Sequence, residues 1–363
     1  MFKKIILPGL IFQSTMIGGG YATGRELIEF FLKLGPSKAI LAMCIATAVL
    51  STVTMIAFEY ARQFKLYDYK SFFNKLLGPA WPIFEFAYLA LIILILSVLG
   101  AATGELFSQT IHIKPIFGII ILMVTIGGLT FFGGKTIEKF LSAWSVVLYL
   151  TYFILIIWSF ALFGDKIAAA FTEKTIASSL FDMVKGGMTY AGYNIVVFCA
   201  VLFIVNSFEN RSQALWAGLL CGPLAMIPGF LLLVAMSAHY PEIIDQPLPI
   251  SYLLERINAQ QFLIVFQIVI FGTFIETGTA LMHSVNERIA TGFKSSNKQM
   301  PTILRPVIAI LFLIFAILLA DAIGLVSLIG QGYTYSTYVF YIIVIIPILV
   351  KGIGMFLRQY LTP

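Results

Sequence analysis

Charge is what this sequence has least of. Only 11% of its 363 residues are Asp, Glu, Lys or Arg, against 60% hydrophobic, and a chain with that balance cannot wrap one apolar core in a solvated surface. Cysteine is also scarce: Cys44, Cys199 and Cys221 lie in separate apolar segments, which offers neither a disulfide framework nor a thiolate metal spacing. The three histidines form no His-Glu-x-x-His helix, and no Gly-x-Ser-x-Gly elbow accompanies them, so no catalytic constellation and no enzyme is expected. Gly18, Gly20 and Gly24 miss the spacing of a dinucleotide loop, and no strand precedes them.

What the chain has in abundance is apolar length. Runs near the ~20 residues that cross a bilayer fall at 4–33, 38–62, 83–109, 114–133, 140–163, 187–207, 212–238, 261–286, 303–322 and 334–356. The expected fold is an all-α polytopic membrane protein of ten transmembrane helices, with the lipid bilayer as its first partner. The connections at 63–82, 164–186 and 239–260 are longer and mixed, with room for short helices at the interface. Lys3-Lys4 before an apolar run imitates a signal peptide, yet no small-residue cleavage pattern follows, and the segment reads as a retained first span.

Topology accounts for the net charge of +6. With the N-terminus inside, fifteen Lys and Arg, Lys174 not among them and Lys298 among them, fall on the cytoplasmic side and seven outside, with Arg25 within a span. That asymmetry satisfies the positive-inside rule and puts both termini in the cytoplasm. Nucleic acid therefore drops out as a partner.

The stretch Gln13-Ser-Thr-Met-Ile-Gly-Gly-Gly-Tyr-Ala-Thr-Gly-Arg-Glu26 is the one a transmembrane helix tolerates least. Each glycine costs about 1 kcal/mol relative to alanine in a helix, and backbone that leaves the helix inside hydrocarbon must be buried in protein or face a wet cavity. Helix 1 is expected to break at Gly18, Gly19 and Gly20, as in secondary transporters with a midplane site; close helix packing through small residues is the alternative. A second interruption is expected in the sixth span, where Lys185-Gly186-Gly187-Met188-Thr189-Tyr190-Ala191-Gly192-Tyr193-Asn194 opens an apolar run. Gly19 to Glu105 is 86 residues and Gly192 to Glu276 is 84, so a lone carboxylate recurs at a matching place in each half. Spans 1–5 (1–163) and 6–10 (187–363), joined by an outer connection at 164–186, then form a 5+5 inverted repeat with helices 1 and 6 broken.

Glu276, ~22 Å along a helix that starts near Gln261, sits at a depth where a carboxylate costs on the order of 2.5–3.5 kcal/mol by insertion scales. It must be protonated, paired or bound to a cation. Its oxygens with Thr273 and Thr277 could ligate sodium, or it could carry a proton; a neutral acid bonded to a neighbouring helix is the structural alternative. Glu105 reads equally as a pathway group and as a solvated helix end.

The opening Ile-Leu-Pro-Gly-Leu-Ile-Phe-Gln-Ser-Thr-Met-Ile-Gly-Gly-Gly-Tyr-Ala-Thr-Gly-Arg-Glu resembles the bacterial YkvI-like membrane proteins, a group near the amino acid–polyamine–organocation transporters. The resemblance implies a LeuT-like fold in a bacterial cell membrane, with substrate held at broken helices 1 and 6 and a coupling ion held partly by helix 8. On that scheme the amides of Gly18, Gly19 and Gly20 receive a substrate carboxylate, carbonyls around Thr189–Gly192 receive an ammonium, and Tyr21, Tyr190 and Tyr193 wall the pocket, with Thr23, Ala191 and Asn194 beside them. Glu276 and Thr277 fall on the sodium-binding pair of helix 8, where the carboxylate departs from the family pattern and leaves Na+ or H+ open. Arg25 falls on the outer-gate arginine, with Glu26, Glu29 or Glu105 as partner, or else forms a local pair with Glu26.

The expectation is a secondary active transporter of a small zwitterion or amine, an amino acid foremost, without a cofactor beyond the coupling Na+ or H+. A sensor on the same fold that binds ligand without net flux is the competing reading. Substrate identity, direction and oligomeric state, a homodimer included, stay open.

Overall fold

The computed structural model describes residues 2–132, 135–172, 179–295, 301 and 303–361, and among them helix is the only regular element. Lys174, Lys298 and part of the 164–186 connection lie outside the described residues. The first apolar stretch is divided into α1 (Phe2–Met16), α2 (Gly19–Ala22) and α3 (Arg25–Phe30). Next come α4 (Pro36–Phe64), a short α5 (Tyr69–Leu77), α6 (Trp81–Ile111), α7 (Pro115–Phe132) and α8 (Lys135–Thr172). After α9 (Leu180–Asn194) the chain runs on as two 3-10 segments, Ile195–Ala200 and Leu202–Ser207. The remainder is α10 (Arg211–Met236), α11 (Pro249–Arg256), α12 (Gln260–Ser295), α13 (Leu304–Ile323), α14 (Leu325–Ser327), α15 (Tyr333–Phe340) and α16 (Ile346–Leu361), with π-helical turns at Leu328–Gly332 and Tyr341–Ile345.

Helix ends follow local chemistry. Gly35, at φ 93°, turns the chain into Pro36 at the first position of α4, where proline's missing N–H costs nothing. Asp68 accepts from the Ser71 amide to start α5, and Asn210 does the same for Gln213 at α10. A reciprocal capping box between Ser179 and Asp182 opens α9; these bonds pull the exposed Asp182 carboxyl below its ordinary range. At the other end of α13, Gly324 takes φ 79°, a conformation open to glycine.

Among the described residues, seven helical stretches are long and apolar enough to cross a membrane: Pro36–Phe64, Tyr69–Ile111, Val146–Thr172, Arg211–His239, Gln260–Ala290, Leu304–Ile323 and Leu325–Met355. Pro115–Phe131 is shorter and equally apolar. The outer faces carry bare apolar side chains such as Phe86, Val124, Phe153, Leu318 and Ile342, a surface that water would not tolerate and lipid does. The longer connections hold short helices, α5 in 63–82 and α11 in 239–260. At 164–186 helix continues where the sequence reading has a connection: the backbone of Phe163 leaves helical geometry and α8 then resumes to Thr172, because Asp165-Lys-Ile-Ala-Ala-Ala170 is built of helix-compatible residues.

In the interior, α4 packs along both α9 and α10, and α1 packs along α10. Without a hydrophobic drive between helices in lipid, such contacts need small residues that let backbones approach. A Cβ at Gly218 would fall 2.6 Å from the Met55 main-chain nitrogen, and one at Gly222 would fall 3.0 Å from that of Ser51. The Ser51 hydroxyl donates to the Leu219 carbonyl at 2.8 Å across the same seam. Gly218→Ala is therefore expected to destabilise the protein by about 1–3 kcal/mol through overpacking. Gly128→Ala on α7, with open space around its Cα, should be neutral or stabilising by up to about 1 kcal/mol. Thermal unfolding of the two variants in detergent checks the pair, and equal melting temperatures would remove the close α4–α10 approach from the account.

Candidate functional site

Three glycines and the residues around them bend the first stretch away from a continuous helix. The Ile17 amide donates to Gln13 O at 2.9 Å, the last α-type bond of α1, and the Gly18 amide turns to Met16 O at 2.9 Å. Helix resumes at Gly19, where the first amides have no intrahelical acceptor. A second interruption follows at once: Gly24 takes φ 81°, the Thr23 hydroxyl donates to Gly20 O at 2.9 Å, and it receives the Arg25 amide at 3.2 Å. From α8 the Tyr152 hydroxyl donates to Ala22 O at 2.9 Å. Side chains therefore complete the backbone bonding that the gaps leave open.

The sixth stretch departs from helix later than expected. Residues Thr189 to Gly192 lie within α9, and α geometry gives way to 3-10 at Ile195. Nor are the carbonyls there bare: Met188 O accepts from Tyr341 at 3.1 Å, Thr189 O from Thr337 at 2.7 Å and Tyr190 O from the Asn194 amide at 3.1 Å. Gly192 allows the close approach of Thr337 and Tyr341. The glycines of this stretch thus serve packing, and the β-branched run Ile195-Val196-Val197, poor in helix propensity, is where α geometry ends.

Between these two places lies a cavity of about 90 Å³, lined by Gly18, Gly20 and Glu26 of the first stretch, Tyr193 and Asn194 of the sixth, Thr277 of α12, Tyr88 of α6 and Tyr333 of α15, with Leu91, Ile92 and Ile95 supplying an apolar wall. A Cβ at Gly18 would sit 3.5 Å from the Thr277 methyl, so α12 closes directly on the gap. The Tyr193 ring stacks on Tyr333 with centroids 4.3 Å apart and planes 13° from parallel. Its hydroxyl donates to Glu26 Oε2 at 2.6 Å, and the other carboxylate oxygen lies against Gly20 where a Cβ would stand.

The residues singled out from the sequence sort into several places. Gly18, Gly20, Tyr193, Asn194 and Thr277 line the cavity, and Gly19 lies between two of them in α2. Tyr21 points the other way, its ring tip against Gly229 of α10. Tyr190 is buried among Phe30, Phe31 and Tyr193, with Ala191 buried beside it. Thr23 shapes the turn before α3. Thr273, one turn before Thr277, donates its hydroxyl to Val269 O at 2.9 Å. Glu276 is half-buried, interacts with Tyr149 of α8 and is not part of the cavity lining. Glu105 is half-buried near the end of α6, also outside the lining.

Arg25 selects one of its three candidate partners. Its guanidinium pairs with Glu29 at 2.9 Å and donates to the carbonyls of Ile244 at 2.7 Å and Gln246 at 2.9 Å, while Lys33 reaches the same Glu29 oxygen at 2.6 Å. The local pair with Glu26 does not form, since neighbours in sequence do not face each other on a helix. The Ile250 amide also donates to Thr23 O at 3.2 Å, so the 239–250 segment is tied down over the interrupted helix. At the far end of α12, Arg288 pairs with Glu85 at 3.2 Å and lies over the rings of Tyr69 at 3.7 Å and Tyr88 at 4.0 Å; Tyr88 is also a cavity wall.

Tyr88 is a cavity residue that sequence reasoning passed over; Tyr333 falls in the stretch Gly330–Ser336, polar enough in sequence to line the outer pathway, and Glu26 reads in sequence only as a partner for Arg25. Glu26 had a readable signal: Arg25, Glu29 and Lys33 stand four apart and share one stripe of a helix, which leaves Glu26 on another. Among the described residues no group of three or more His, Cys, Asp or Glu comes together to hold a metal ion.

No family model matches the sequence. An uncharacterised membrane protein of Bacillus subtilis (strain 168), YkvI, is 19% identical over 292 residues, which cover 77% of this chain and 79% of that protein. Among solved structures, MhsT in complex with L-phenylalanine matches at a TM-score of 0.59 and 16% identity over 95% of this chain and 86% of that one. A mutant of the manganese transporter of Eremococcus coleocola matches at 0.53 and 13% over 94% and 77%. These solved neighbours are transporters rather than enzymes, and the described residues share their all-helical architecture. The chain is similar to YkvI along most of its length and shares its overall fold with these solved structures.

Proposed function

We propose that the protein is a secondary transporter of a small solute carrying an amino group, an amino acid or an amine, working by alternating access around the cavity beside Gly18. The observation that carries the reading is that the cavity walls come from both halves of the sequence, Gly18, Gly20, Glu26 and Tyr88 from one and Tyr193, Asn194, Thr277 and Tyr333 from the other. Residues 1–163 and 187–363 then act as inverted repeats of five spans each, with both termini cytoplasmic, and relative motion of the two opens the cavity to either side in turn. Its volume of about 90 Å³ is the liquid volume of about three waters at ~30 Å³ each, the scale of the smallest amino acids. MhsT holding L-phenylalanine supports an amino-group ligand on this fold, and the lack of a gathered set of acidic or histidine ligands among the described residues weighs against a manganese-like cargo.

Coupling to Na+ or H+ is assigned to α12, through Thr277 at the gap and Glu276 one residue before it. Glu276→Gln is expected to abolish uptake driven by an imposed ion gradient in proteoliposomes, with membrane insertion and monodispersity unchanged. Full gradient-driven uptake in that variant removes Glu276 from the coupling. Counterflow of labelled L-alanine without a gradient tests the transport reading itself, and saturable binding with no counterflow would make the protein a sensor.

The outer side is held shut by Arg25, which ties α3 to the 239–250 segment through two carbonyls while its other guanidinium nitrogen pairs with Glu29 within α3. Lysine keeps the charge and loses the fork. Arg25→Lys is therefore expected to speed hydrogen exchange across residues 240–250 by about tenfold to a hundredfold, the loss of one charge-assisted hydrogen bond. Unchanged exchange there would show the segment to be held by other contacts.

A further inference from the structure

Glu26 is buried, 5% exposed, and has one hydrogen-bond donor among the described residues, the Tyr193 hydroxyl. Among the described residues no ion pair reaches it. The titratable groups gathered around it are phenols: Tyr193, which donates to it, Tyr88 and Tyr333 of the cavity lining, and Tyr190, packed on Tyr193. Phenols are neutral at physiological pH. The nearest cation along the chain, Arg25, is engaged with Glu29 and two carbonyls, and Arg288 at the other end is engaged with Glu85. Glu276 of α12 lies beside Tyr149 and outside the cavity lining. A carboxylate so placed needs its positive charge from something that is not part of the chain.

The position of that carboxylate also bears on what can enter. With Glu26 lying against Gly20, the protein's own anion stands beside the α2 amides that would otherwise draw a ligand's carboxylate. Aromatic walls, Tyr88, Tyr193 and Tyr333, and the aliphatic side chains of α6 complete the lining. Carboxylate with aromatic faces is the chemistry that recognises an organic ammonium ion.

We infer that Glu26 is the binding group for the ammonium of a small cationic amine, which the cavity prefers over an amino acid with a free carboxylate, and that amine and proton compete for Glu26. The inference rests on the transporter reading of the cavity and narrows its ligand. Binding exchanges one charge for another: the Glu26 O–H bond breaks, the proton leaves to solvent, and the ammonium takes its place against the carboxylate, so the site stays neutral throughout.

The test uses a matched set of probes and the full-length protein in nanodiscs: L-alanine, isopropylammonium, in which a methyl replaces the carboxylate, and isobutyrate, in which a methyl replaces the ammonium. Isopropylammonium is expected to bind about tenfold or more tighter than L-alanine, since like charges in a cavity repel, and isobutyrate not to bind. Its affinity should fall on acidification by up to about tenfold per pH unit, the slope of a one-proton exchange. Glu26→Gln, which keeps an acceptor for Tyr193, should weaken isopropylammonium by about a hundredfold and abolish the pH dependence. Tyr193→Phe, which keeps the charge, should retain both binding and pH dependence; loss of both would make the Tyr193–Glu26 contact structural and overturn the inference. Wild-type affinity in Glu26→Gln, or L-alanine preferred over isopropylammonium, also overturns it, while L-alanine counterflow would leave the transporter reading standing. Silence from all three probes in binding and in counterflow brings down the inference and the reading together.

Discussion

Backbone polar groups cannot be left bare in hydrocarbon, where each costs several kcal/mol. Every unusual feature of the first stretch follows from meeting that demand without a continuous helix. The chain bends at Ile17 and Gly18 and again at Thr23 and Gly24, and the bonds that helix would have made are supplied by Thr23, by Tyr152 reaching in from α8 and by the Ile250 amide. What remains unfilled is a small lined space rather than a defect. The gap and the cavity are two descriptions of one constraint.

That space is closed by side chains from several helices, and their bonds hold the two halves of the molecule together. Tyr193 joins α9 to α3 through Glu26 and to α15 through its stack on Tyr333. On one side Arg25 binds the 239–250 segment, and on the other Arg288 binds Glu85 between two tyrosine rings. Both arginines satisfy their charge within the protein, in forks and on ring faces that lysine would not reproduce. A cavity bounded at each end by a reversible ion-pair contact suits access that alternates, because either contact can part without unfolding a helix.

Much of this was legible in the sequence, for reasons that can be named. The apolar runs are long enough to stand out against any soluble background, and the glycine run marks the end of α1 because glycine is a poor helix former wherever it stands, although the gap falls at Ile17 and Gly18 and the next two glycines already belong to α2. The position of the second departure was not legible. Gly187 and Gly192 look like hinge residues, yet Gly187 meets the backbone of α4 and Gly192 meets Thr337 and Tyr341, so their lack of a side chain serves packing with partners more than a hundred residues away. Tyr21 and Tyr190 were read as cavity walls from their depth alone, and depth does not say which way a ring points. Glu26 was hidden by its neighbour: Arg25 and Glu26 look like a pair when written side by side, and a helix turns adjacent residues about 100° apart.

The energetics of Glu26 explain why such a residue can serve as a working part rather than a flaw. Holding a carboxylate at bilayer depth costs on the order of 2.5–3.5 kcal/mol by insertion scales, and a hydrogen bond to a charged group returns about 1.5–3 kcal/mol. The two nearly cancel, so a carboxylate can be held there at little net cost. A built-in lysine or arginine partner would have tipped it permanently toward the ion and filled the cavity. A wholly apolar surrounding would have fixed it as the neutral acid. With one phenol hydroxyl on one oxygen and the other packed against Gly20, Glu26 lines the cavity without a built-in partner charge, and that is what a site needs if binding is to be felt by both halves of the molecule.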